Sequence, residues 1–128
     1  VKEGAFELLD VLEARGIPKG VATSTERNFA IKKLTGAGIL RRFSVIVGGD
    51  EVVRGKPAPD IFLLAAERLG IAPTSCFVLE DSPAGIVGAA AAGMRPILVP
   101  DNGAPTEGVE GLSVGVYSSL VLVSRFFE

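Results

Sequence analysis

Apolar positions along the chain follow two rhythms. Phe6, Leu8, Leu9 and Leu12 recur at near-helical spacing and predict a helix over residues 3–15, with Gly16 as its stop. Gly20-Val21-Ala22-Thr23-Ser24 then predicts a short buried strand that ends in hydroxyls. The helical period returns over residues 26–36 through Phe29, Ile31 and Leu34, closing at Gly36 or Gly38. Phe43 to Val47 is a second strand-like run, stopped by Gly48-Gly49. Pro59-Asp60 opens another helix, because Pro suits a first turn and Asp suits the helix dipole; it runs through Phe62, Leu63, Ala66 and Leu69 to Gly70. Cys76 to Leu79 predicts a third strand, Ser82-Pro83 a small-residue helix to about Ala92, and Pro96 to Val99 a fourth strand. Past Pro100 the pattern weakens, with a further strand over 113–117 and a terminal helix over 120–127.

Helices alternating with short, continuously apolar strands indicate parallel βαβ units, so the fold class is α/β. In such sheets ligands bind beyond the carboxyl ends of the strands. Three polar clusters of this sequence fall at those ends or in the loops after them.

Composition narrows the chemistry. The chain has 128 residues, 48% hydrophobic and 22% charged, which suits one domain with a real core. A formal net charge of −2 with interspersed signs leaves no basic stripe for nucleic acid or an anionic membrane. The apolar stretch from Pro83 to Met94 is too short to span a bilayer. One cysteine, Cys76, excludes an internal disulfide and fits a reducing cytoplasm. With no histidine, Ser-His-Asp hydrolysis and His-ligated zinc are excluded, and chemistry falls to carboxylates, lysine, hydroxyls, amides and a hard cation. A start at Val1, directly before a helix, suggests a piece of something longer.

Ser24 and Thr25 directly follow the first strand, and Glu26 opens the next helix. Hydroxyls and free amides at a helix N-terminus make an anion site, although either residue could simply cap the helix. Lys56 is framed by Gly55 and Pro57-Ala58-Pro59, so its loop is stiff. A lysine so presented supplies a point charge to a phosphoryl oxygen and a nearby carboxylate; the plainer reading is a solvated surface lysine. Glu80-Asp81 ends the third strand, and adjacent carboxylates are costly to hold together without a cation between them. An oxygen-only donor set selects Mg²⁺, the alternative being that Asp81 caps the helix while Glu80 faces water.

The order of these clusters resembles motifs II, III and IV of the haloacid dehalogenase (HAD) superfamily. Val21-Ala22-Thr23-Ser24, Gly55-Lys56-Pro57-Ala58-Pro59-Asp60 and Leu79-Glu80-Asp81-Ser82-Pro83-Ala84-Gly85 are similar to its β-phosphoglucomutase-like phosphatase branch. The resemblance covers residues 1 to about 100. It implies a Rossmann-like three-layer sandwich and an Mg²⁺-dependent phosphohydrolase acting on small phosphate esters such as sugar phosphates. Ser24 and the Thr25 amide would hold the phosphoryl group, Lys56 would neutralise it, and Glu80 and Asp81 would hold the metal. Arg27 and Asn28 stand where members grip the substrate's second phosphate, with Glu26 an acidic departure from that pattern.

The family's nucleophile lies in an Asp-x-Asp segment after a central strand, and no Asp-x-Asp occurs in this sequence. The resemblance therefore implies residues 1–128 as one core-domain fragment, without the cap domain and inactive alone. The strands ending at Ser24 and Asp81 would then close on each other, receive a partner segment from another chain, or belong to a longer protein that supplies the missing N-terminal segment. The acidic pair argues for phosphate esters over a metal-free haloacid dehalogenase, and its late position argues against a receiver-type signalling module. A phosphomutase, or a non-catalytic remnant that binds phosphate or a partner, stays open.

Overall fold

The computed structural model describes residues 2–101 and 108–128. Val1 and the Gly- and Pro-containing stretch at 102–107 lie outside the described residues. Helix α1 (Ala5–Ala14) leads to β1 (Gly20–Ala22), α2 (Arg27–Gly36), β2 (Val45–Val47), α3 (Asp60–Leu69), β3 (Phe77–Glu80), α4 (Pro83–Ala91), β4 (Arg95–Leu98), β5 (Gly115–Val116) and α5 (Leu120–Phe126). All the predicted elements form. The first two strands are shorter than their predicted runs, since Thr23 and Ser24 leave β1 for a loop, and Phe43, which closes a 3-10 turn over 40–42, and Ser44 precede β2.

The strands form two parallel sheets. β1 pairs with β2, and β4 lies between β3 and β5. Side chains of the second sheet alternate between two helical layers, as a pleat requires. Phe77, Leu79, Ile97 and Val99 meet Leu8 of α1 and Val123 of α5. Val47, Val78 and Ala22 face Phe62, Ala65 and Ala66 of α3 together with Ala89 of α4. Leu98 packs on Ile86 of α4. Ile61, Ile86, Ile97 and Leu98 are 0% exposed, and each such burial contributes about 1.5–3 kcal/mol. Helices on both faces of parallel strands make this the expected three-layer α/β sandwich.

β1 and β3 do not close on each other. Lys19 O accepts from Ser44 N, and Thr23 N donates to Val47 O, so the odd residues of β1 face β2. By alternation, Gly20 and Ala22 aim their backbone groups the other way. On β3, Cys76 O and Glu80 O accept from β4 and its flank, which leaves Phe77 and Leu79 aimed toward β1. Between these two edges lies a slot of about 460 Å³, with Leu8, Leu9 and Leu12 of α1 on one face and Phe62, Ala66 and Leu69 of α3 on the other. Both edges are backbone, and both faces are apolar. Among the described residues, no helix is long and apolar enough to cross a membrane.

Candidate active site at the carboxyl ends of β1 and β3

Lys56 reaches the mouth of the slot from the loop before α3. Its peptide bond to Pro57 is cis. Its ammonium donates to Ala22 O, at 3.3 Å, on the last residue of β1. The same ammonium is ion-paired with Glu80, the last residue of β3, and lies 5.1 Å from the centroid of the Phe62 ring. The two side chains are 11% and 9% exposed, so this pair is largely removed from water. One cation therefore ties the ends of the two strands that border the slot, and it shows that both strands point the same way.

The Glu80 carboxylate is packed as well as paired. The Ser82 hydroxyl donates to Glu80 Oε2 at 3.2 Å and accepts from Gly85 N at 3.1 Å, so the N-cap of α4 also orients the carboxylate. Gly85 sits against that carboxylate: a Cβ there would lie 2.1 Å from Glu80 Cδ. A glycine in the first turn of α4 is thus a requirement of close approach.

Asp81 leaves the strand in another direction and is half-exposed. The Asp101 carboxyl, past the end of β4, is its acidic neighbour, and Lys2 stands over both, 2.5 Å from Asp101 and 3.9 Å from Asp81. Burial and then the neighbouring Asp101 raise the Asp81 carboxyl above the ordinary aspartate range. Lys2, followed by the neighbouring Asp81, holds Asp101 below it. Asp81 thus keeps a proton longer than usual at a place crowded with carboxylates. Among the described residues no three acidic, His or Cys side chains are grouped to hold a metal ion. Asp81 and Glu80 offer hard oxygen donors only. That suits Mg²⁺, which takes one or two carboxylates and fills its remaining positions with water and phosphate oxygens.

The segment after β1 is folded tightly. Thr23 Oγ1 accepts from Thr25 N at 3.1 Å, so the Thr25 amide is already engaged. Ser24 is exposed two residues past the carbonyl that Lys56 holds, on the same rim. Arg27 Nε is turned inward to Ile46 O at 3.2 Å and stands 3.8 Å from Glu51; Asn28 is exposed. The structure thus brings Lys56 and Glu80 into contact and places Ser24 and Asp81 in the loops that follow β1 and β3. Arg27 spends its Nε–H within the protein.

Sequence reading missed Lys2, Asp101 and Ser82. Asp101 follows β4 at the same carboxyl rim, so the strand-end rule could have found it. Lys2 carries no comparable local signal, since its partners are 79 to 99 positions away along the chain.

The haloacid dehalogenase-like hydrolase family model matches residues 1–93. A bifunctional riboflavin kinase/FMN phosphatase of Arabidopsis thaliana is 46% identical over 98 residues, covering 76% of this chain and 26% of that protein. The structure of CbbY from Rhodobacter sphaeroides in complex with phosphate superposes with a TM-score of 0.85 at 31% identity, covering 94% of this chain and 54% of that one. A putative β-phosphoglucomutase from Thermotoga maritima gives 0.88 at 30% identity, covering 97% and 59%. The chain spans a little over half of each of these structures and about a quarter of the plant protein. A match over 93 consecutive residues that contain Ser24, Lys56, Glu80 and Asp81, together with the parallel sandwich, establishes that this chain belongs to the haloacid dehalogenase-like hydrolases.

Proposed function

We propose that this chain supplies the phosphoryl- and Mg²⁺-binding groups of a cytoplasmic phosphohydrolase acting on small phosphorylated metabolites, sugar phosphates foremost. The observation that carries the proposal is the Lys56 ammonium, bonded at once to the end of β1 and to Glu80 at the end of β3. A cation anchored between two strand ends has a fixed position, and a fixed positive charge is what stabilises a phosphoryl group in transfer. Ser24 would donate its hydroxyl to a phosphoryl oxygen, and Lys56 would neutralise a second oxygen. Arg27 and Asn28 would bear on the distal part of the substrate. Glu80 and Asp81 would hold Mg²⁺, whose contribution when bound is to offset charge on the phosphoryl oxygens.

Residues 1–128 would form a single core domain, whose slot between β1 and β3 would take one more parallel strand. That strand would come from a segment preceding this one or from another chain, and it would carry the carboxylate that forms an aspartyl-phosphate. By this reading the 128 residues alone show no turnover. The test is phosphate release from a panel of sugar phosphates by a polypeptide that includes the added strand. Activity should require Mg²⁺ and fall about a hundredfold to a thousandfold in Lys56→Ala and in Asp81→Asn, as loss of electrostatic stabilisation implies. Turnover that persists through both changes, or in excess chelator, would sink the proposal. The likeness to a putative β-phosphoglucomutase keeps a phosphomutase as the second reading; product analysis separates an isomerised sugar phosphate from free phosphate.

A further inference from the structure

We propose that Asp50 is a positioning residue: from the loop after β2 it holds the first turn of α2 and thereby fixes the aim of the Ser24 hydroxyl. The inference rests on the reading of Ser24 as a phosphoryl contact. Helix α2 is capped in an unusual way. Its own N-cap, Glu26, makes no side-chain cap bond. Asp50 Oδ1 acts in its place from 23 residues away, accepting from Arg27 N at 2.8 Å. One residue earlier, Gly49 N donates to Thr25 O at 2.9 Å. Two successive residues of one loop therefore grip positions 25 and 27 of the other, immediately beyond Ser24.

The approach is as close as backbone allows. A Cβ on Gly49 would fall 2.2 Å from Ser24 O, and a Cβ on Gly48 would fall 2.3 Å from Arg27 N. Gly48-Gly49 thus ends a strand and also lets the two loops touch. The gripping loop is itself anchored. Glu51 Oε2 accepts from Gly48 N at 2.8 Å, and Glu51 Oε1 accepts from Arg68 Nη1 of α3 at 2.7 Å. Arg27 Nε closes the far side on Ile46 O. Rigidity thus passes from α3 through Glu51 to Asp50, and from there to the residues that flank Ser24. Ser24 is exposed on a loop and would otherwise sample many directions, and misplacement by about 1 Å costs on the order of a hundredfold in rate.

The test uses the catalytically competent polypeptide described above, with kcat, KM and the inhibition constant of inorganic phosphate as readouts. Asp50→Ala should lower kcat/KM by about tenfold to a hundredfold, mostly in kcat, and weaken inhibition by phosphate about tenfold. Asp50→Asn keeps an acceptor oxygen in place and should return both to within about threefold of the parent. Asp50→Glu keeps the charge but moves the acceptor by a methylene, and it should fall with Asp50→Ala. This last pair decides the matter even where Asp50→Ala does not fold. Parent-like constants in Asp50→Ala or Asp50→Glu, or an equal loss in Asp50→Asn, would overturn the positioning role. Lys56→Ala run in parallel separates the two claims, since only the failure of the phosphohydrolase reading would leave that variant active.

Discussion

The pair of Lys56 and Glu80 offers a magnitude that the structure sets. Replacing Lys56 by Met keeps the aliphatic stem against Phe62 but strands a carboxylate that is 9% exposed. Breaking a buried pair from one side costs roughly 3–5 kcal/mol. Ser82 still donates to Glu80, so the lower end applies, about 3 kcal/mol. Glu80→Gln leaves the ammonium with Ala22 O and the Phe62 face, and the expected loss is about 2 kcal/mol. In the double variant neither charge is orphaned, so its loss should be smaller than the sum by about 2 kcal/mol. The chain has no tryptophan, so urea unfolding followed by far-UV circular dichroism is the suitable assay. Single losses below about 0.5 kcal/mol, or losses that simply add, would mean that the two side chains are not coupled and that Lys56 does not tie the strand ends.

Three further outcomes are expected. Gly85→Ala drives a methyl into the Glu80 carboxylate and should abolish sugar-phosphate turnover by dislodging that group, whereas Gly111→Ala, where nothing lies within 4 Å, should be silent in the same assay. The Gly48 amide, and then Arg68, hold Glu51 below the ordinary glutamate range, so its contribution to stability is present at neutral pH and is lost as pH falls through the folded value. The stability gap between the parent and Glu51→Gln should accordingly narrow below about pH 4.3 in acid-unfolding curves, and a gap that widens there would contradict the bond to Gly48. Asp81 has the opposite sign. Its folded pKa is raised, so ionisation opposes folding as pH rises through the aspartate range, and Asp81→Asn should raise the Tm of the metal-free protein near pH 7 while removing activity. A lowered Tm would refute this.

The helical period and the short apolar runs made the layers readable because each depends on residues near in sequence. Leu8, Phe62 and Ile97 are core by local pattern alone. Site residues at strand ends were legible for the same reason, since Glu80 follows Phe77-Val78-Leu79 directly. Interactions set by tertiary distance were not legible. Asp50 capping a helix that begins at Arg27, Lys2 standing over Asp81 and Asp101, and Gly85 making room for Glu80 depend on loops meeting in space. Thr25 illustrates the limit: its amide was expected to be open to an anion, yet the hydroxyl of Thr23, two residues earlier, accepts its hydrogen bond. The separation of the strands into two sheets was foreseeable only through the resemblance, as the place of an absent central strand; which of the open outcomes holds depends on backbone pairing that no residue type announces.

Whether these groups embrace one phosphoryl anion is settled most directly by crystals of the competent polypeptide soaked with Mg²⁺ and tungstate, a heavy phosphate mimic. The account predicts an anomalous peak within hydrogen-bonding distance of Ser24 Oγ and Lys56 Nζ, with an octahedral cation beside Asp81. A peak distant from Lys56, or an anion bound with no cation on Glu80 or Asp81, would contradict it.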